Sequence, residues 1–124
     1  MSKQSIEYFY HILDECNFII TSTSNITKDQ LLNDEVMKRA IVRSLEIIGE
    51  ACKKIPANVK LRLNTINWKH MAGMRDRLIH DYMGINYSIV WDVVCNKIPE
   101  LKKQIDDAIT TDIKDNHEHK KLNQ

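Results

Sequence analysis

Apolar side chains recur at every third or fourth position along most of the chain, and no stretch alternates apolar and polar residues for long enough to make a convincing strand. Only three glycines and two prolines interrupt the pattern in 124 residues. That combination restricts the chain to helices. Ile6, Phe9, Tyr10, Leu13, Asn17 and Ile20 share one helical face, which predicts a first helix from about Ser2 to Ile20. "TSTSNITKD" follows with turn and capping residues, and Thr27 with Gln30 has the form of a capping box that starts a second helix.

The second helix is expected to run to about Lys54. Met37, Ile41, Leu45, Ile48, Cys52 and Ile55 form its main stripe, with Val36, Ala40, Ile47 and Ala51 beside it. Arg39, Arg43, Glu46 and Glu50 occupy its polar face at ion-pair spacing. Pro56 ends it, and "IPANVKLRLNTIN" reads as a connection or short helical turn. A third helix is predicted from about Trp68 to near Gly84, and a last one from near Ser88 to about Thr110. The last carries Val90, Val94, Ile98, Leu101, Ile105 and Ile109 in one stripe and is expected to kink at Pro99. The predicted fold is all-α, an antiparallel bundle of four main helices. One domain is expected over residues 1–111, and the polar stretch 112–124, "DIKDNHEHKKLNQ", is expected to fray.

No apolar run approaches the roughly 20 residues of a membrane-spanning helix, and no signal-like N-terminal stretch occurs, so a cytoplasmic location is expected. Cys16, Cys52 and Cys95 are odd in number, widely spaced and set in apolar patterns, which reads as reduced core thiols. No metal site is expected. His117 and His119 lie in the tail without carboxylate or cysteine partners in ligand spacing.

The net charge of +1 argues against a protein that coats nucleic acid generically, but the charge is unevenly placed. Between Ala51 and His80 seven bases face one acid, while both flanks are slightly acidic. A phosphate-bearing partner would be drawn to the middle, where Lys53, Lys54, Lys69 and Arg77 are candidate RNA contacts. An ordinary solvated surface paired to neighbouring acids would show the same composition.

The third helix holds "RDRLIHDYMG", with two arginines, two aspartates, a histidine and a tyrosine in ten residues. On a helical projection Met71, Met74, Leu78, Tyr82 and Ile85 form a core stripe. Asp76 and His80 point away from it, four residues apart, so the carboxylate can orient the imidazole. Arg77 and Asp81 have the spacing of a surface ion pair, and Arg75 borders the stripe beside Tyr82. Two accounts fit: a core stripe with ordinary ion pairs, or a site for phosphate chemistry. Arg75 and His80 are about 140° apart on a straight helix, so a shared site needs either a distorted helix or two copies of the chain.

Arg75, His80 and Tyr82 spell R-x4-H-x-Y within "LEIIGEACKKIP", "INWKHMAGMRDRLIHDY" and "YSIVWDVVCNKIPELKKQI". From about Gln30 to Ile109 the chain resembles the HepT-like family of HEPN-domain proteins. The resemblance implies a homodimeric helical ribonuclease without metal or cofactor, acting as the toxin of a toxin-antitoxin pair. It further implies a minimal nucleotidyltransferase partner that uses ATP to transfer AMP onto Tyr82. Carried over by position, Arg75 and His80 are the catalytic pair and Asp76 their supporting neighbour. A different class remains open: a non-catalytic helical subunit that positions a nucleotidyltransferase or its substrate.

Overall fold

The computed structural model describes the backbone of residues 1–79 and 84–122 and the side chains of residues 1–78 and 84–112. The helices, in chain order, are α1 (Lys3–Thr23), α2 (Lys28–Leu32), α3 (Glu35–Lys54), α4 (Ala57–Arg62), α5 (Trp68–Ile79), α6 (Tyr87–Asp92) and α7 (Ile98–Leu122). A π-helical segment, Val93–Lys97, joins α6 to α7. No strand occurs among the described residues.

α1 starts where Ser2 accepts a hydrogen bond from the Ser5 amide through its hydroxyl. Its fully buried line is Phe9, Ile12, Cys16 and Ile19. Of the expected face, Phe9 lies on this buried line, whereas Ile6, Leu13, Asn17 and Ile20 form its half-buried flank and Tyr10 is 42% exposed. Apolar residues on both sides of α1 made the two faces hard to separate by spacing.

The Thr27–Gln30 capping box forms in both directions, at 3.1 and 2.8 Å. The helix that it starts is short. Asp34 takes the Met37 amide at 2.9 Å and caps a new helix, so the expected single element from Thr27 to Lys54 is two, α2 and α3. Ile41, Leu45, Ile48, Cys52 and Ile55 are buried as expected. Val42 and Gly49 on one flank of that stripe and Ser44 and Ala51 on the other are buried too; of the expected flanking residues Ala51 is buried and Val36 is 80% exposed.

α5 buries Trp68, Met71, Met74 and Leu78, matching the expected stripe. Trp68 meets Phe9 edge-on at 5.9 Å and donates its indole N–H to the Leu63 carbonyl at 3.1 Å. Asn67 caps α5 by accepting from the His70 amide. Gly84 has φ 109°, a conformation in which a Cβ costs about 1 to 2 kcal/mol.

Around Pro99 the chain takes a π turn. Proline lacks the N–H that an α-helix needs and crowds the carbonyl four residues earlier, and the wider turn over Val93–Lys97 accommodates both. α7 then continues past the expected end at Thr110, and Asp112, placed in the polar tail by the sequence, is buried and paired with the Met1 ammonium at 3.1 Å.

α1 runs antiparallel to α3 and to α7. Met1 at the start of α1 meets Asp112 of α7, Tyr8 near that same start lies beside Lys54 at the end of α3, and Thr65 before α5 accepts from Gln104 of α7. α3 therefore packs between α1 and α5, and α7 closes the bundle against α1.

Candidate functional site

The site follows from a close approach of α3 and α5. A Cβ at Gly49 would lie 3.3 Å from both the Arg75 Cβ and the Met71 carbonyl oxygen, so only glycine leaves this contact unstrained. The neighbouring residue on α3 is Glu50. Its Oε1 accepts from Arg75 Nη1 at 2.5 Å, with both side chains still 40–44% exposed. Lys53 Nζ lies 3.8 Å from Glu50 Oε1 and 3.7 Å from Asp76 Oδ1. Arg75, Glu50, Lys53 and Asp76 thus form a chain of alternating charge across the two helices. A guanidinium has five N–H donors, so a single bond to Glu50 fixes Arg75 while leaving donors for a phosphate.

Glu50 is the residue that sequence reasoning missed at this site. Helical spacing places it on the polar face of α3, where it was paired only with residues of its own helix. Its partner lies 25 positions away, and the signal that could have found it is the adjacent glycine, which marks where another helix comes close.

The remaining predicted residues divide. Lys53 belongs to the charge chain, and Lys54 reaches over the Tyr8 ring at 6.0 Å, in a groove of about 180 Å³ that also includes His11, Arg43 and Glu50. Lys69 lies away from these, at an apolar groove with Lys60 and Leu61. Arg77 is exposed and acts electrostatically on His70. His80, Asp81 and Tyr82 lie outside the described residues, so the Asp76–His80 and Arg77–Asp81 pairs and the convergence of Arg75 with His80 do too; so do the side chains of His117 and His119. Arg43 makes an expected pair with Glu46 at 3.3 Å.

His70 titrates below its ordinary value, chiefly through partial burial and then through the charges of Arg77 and Lys97. Burial pushes the thiols of Cys16 and Cys52 up to about 12. Cys95 corrects the expectation of three core thiols, because it is exposed on the π-helical segment. Among the described residues no group of three or more His, Cys, Asp or Glu side chains is placed to hold a metal, and no helix is long and apolar enough to cross a membrane.

The fold is an all-helical bundle that presents Arg75, held by Glu50, on a face open to solvent. The family model described as "Ribonuclease HepT-like" matches residues 12–108, and the chain belongs to that family. Several relatives are named "Putative RNase", two of which follow. One, from Caldanaerobacter subterraneus subsp. tengcongensis, is 46% identical over 102 residues, 82% of this chain and 91% of the relative. The other, from Methanocaldococcus jannaschii, is 44% identical over 110 residues, 88% of this chain and 91% of the relative. "Probable ribonuclease HepT" of Thermococcus cleftensis is 38% identical over 102 residues, 82% of this chain and 93% of the relative. No solved structure matches the chain.

Proposed function

We propose that this chain is a metal-independent endoribonuclease, the toxin of a toxin-antitoxin pair, working as a homodimer with Arg75 and His80 in a shared cleft. The observation that carries the reading is Arg75 itself. Its guanidinium is held from one side by Glu50, stays open to solvent, and begins the R-x4-H-x-Y motif inside the family match.

The residue types suit cleavage by an internal hydroxyl. One His80 takes the proton from a ribose 2′-hydroxyl, whose oxygen attacks the phosphorus. Arg75 binds the phosphoryl oxygens as negative charge grows on them. The 5′-oxygen leaves with a proton from the second His80, yielding a 2′,3′-cyclic phosphate and a free 5′-hydroxyl. Two-fold symmetry lets identical subunits supply both base and acid. Silencing is a second step: the Tyr82 hydroxyl gives up its proton as its oxygen attacks the α-phosphorus of ATP on a nucleotidyltransferase partner, pyrophosphate leaves, and the attached AMP adds negative charge to the R-x4-H-x-Y motif.

The purified chain is expected to cleave RNA in the presence of a chelator and to leave 2′,3′-cyclic phosphate ends. Intact-mass analysis after co-expression with a minimal nucleotidyltransferase is expected to show AMP increments that map to Tyr82. RNA left whole by the purified chain would favour the non-catalytic binding subunit, and cyclic ends without increments at Tyr82 would remove the silencing step alone.

A further inference from the structure

Glu50, whose carboxylate holds Arg75, also lines the groove of about 180 Å³ between α1 and α3. Tyr8 and His11, one turn apart on α1, form one wall of this groove. On the α3 side Ile47, half-buried, and Ala51, buried, give it an apolar floor. The two rings of the wall stand nearly perpendicular, at 76° with their centroids 6.5 Å apart. They make a corner in which a flat ring can stack on one and meet the edge of the other. Tyr8 is held in place, because its hydroxyl accepts from Gln4 Nε2 at 3.2 Å, and its own O–H remains a donor for an incoming group.

The charges around the groove are distributed unequally. Two carboxylates stand at or beside it, and both are matched: Glu50 by Arg75 and Lys53, Glu46 by Arg43 at 3.3 Å. Lys54 is not. Its ammonium lies 6.0 Å from the centre of the Tyr8 ring, and among the described residues it is within 4 Å of no carboxylate. That distance is the outer limit of a cation–π contact, about 6 Å, so the lysine is loosely held and able to turn to a phosphate. An aromatic corner with one such cation at its rim fits a nucleotide of a single strand, the base taking the stack and the phosphate the ammonium. A duplex keeps its bases stacked on each other and has none to offer. Because the groove and Arg75 share Glu50, they lie on opposite sides of one carboxylate, close enough for one strand to reach both.

We propose that this groove is a base-binding subsite for single-stranded RNA, in which Tyr8 and His11 stack a base next to the linkage held at Arg75 and Lys54 binds that nucleotide's phosphate. The proposal rests on the ribonuclease reading. Tyr8, His11 and Lys54 bind and position the strand; they take no part in bond breaking.

The test uses the full chain and a four-nucleotide 2′-O-methyl RNA, which lacks the attacking hydroxyl, together with four probes that each omit one base and keep the backbone. In the wild type, loss of the base at one position should weaken binding about 10-fold, the scale of base stacking on an aromatic side chain. Tyr8→Leu should bind the intact probe about 10-fold more weakly, and omission of that same base should then cost less than about 2-fold. Tyr8→Phe, which keeps the ring, should behave as the wild type, which loss of a merely structural hydrogen bond would not allow. Should Tyr8→Leu fail to fold, the exposed His11→Ala takes its place with the same expectation. Lys54→Gln should lower the dependence of log Kd on log salt by about 0.7, one phosphate contact on a single strand, and Lys54→Arg should restore it. On cleavable RNA Tyr8→Leu should raise KM about 10-fold with kcat within about 2-fold. A wild type indifferent to which base is missing, or a loss at the same position that persists in Tyr8→Leu, would overturn the subsite and leave the ribonuclease intact. Base-dependent binding that Tyr8→Leu abolishes, in a chain that cleaves nothing, would support the subsite and overturn the ribonuclease reading.

Discussion

At the scale of single residues the central contact is Glu50 with Arg75. A carboxylate beside an arginine lowers that arginine's affinity for anions in general, so Glu50 would serve the proposed site by orientation: its bond holds one edge of a flexible guanidinium in place. Glu50→Ala is expected to lower kcat about 10-fold or more with a smaller change in KM, and Glu50→Gln, which keeps the acceptor, to recover much of the loss; steady-state kinetics on one RNA check both. The cysteines give a prediction with a definite sign. Cys16 and Cys52 stay protonated in the folded chain up to about 12, whereas exposed thiols ionise near their ordinary value of 9.0. Above that value the unfolded state loses protons that the native state keeps. Stability from these thiols is therefore complete below about pH 9 and is lost as pH rises toward 12, by about 1.4 kcal/mol per pH unit for each thiol. Denaturant unfolding at stepped pH measures the slope, and the double variant Cys16→Ala/Cys52→Ala should lack that part of it. Native-state alkylation should reach Cys95 alone.

At the scale of elements the geometry depends on how near α5 comes to α3. Gly49→Leu would drive a branched side chain into the Met71 carbonyl and the Arg75 Cβ. Such overpacking costs typically about 1 to 3 kcal/mol, and because Arg75 is displaced with α5, activity should fall further than the folded fraction does. Thermal unfolding beside cleavage rate separates the two losses. The elements also show what could be read beforehand. The stripes of α5 and of the last helix were legible because their apolar residues repeat at one period with polar residues between them. The break between α2 and α3 was not, although Asn33 and Asp34 were visible, because apolar periodicity runs on across them and outweighed two capping residues. Pro99 marked a disturbance but not its form, the wider turn over Val93–Lys97. Spacing within a helix reports its own faces. It does not say which face of another helix arrives there, and so Glu50 escaped notice.

At the scale of the molecule, a chain of net charge +1 keeps its charges sorted in space. The basic middle segment read from the sequence splits in three dimensions. Arg75 and Lys53 lie in a neutralised chain with Glu50 and Asp76, Lys54 turns toward α1, and Arg77 is exposed on another face of α5. Affinity for RNA should therefore be modest and strongly dependent on salt, with the motif as the place where binding becomes chemistry. The account requires that chemistry to come from the chain's own side chains. Its most direct test is the initial rate of RNA cleavage in a chelator by the purified wild-type chain, Arg75→Ala and His80→Ala, each shown by circular dichroism to be folded. The account predicts cleavage by the wild type and losses of about 10²-fold or more in both variants. Folded variants that cut RNA at the wild-type rate would contradict it.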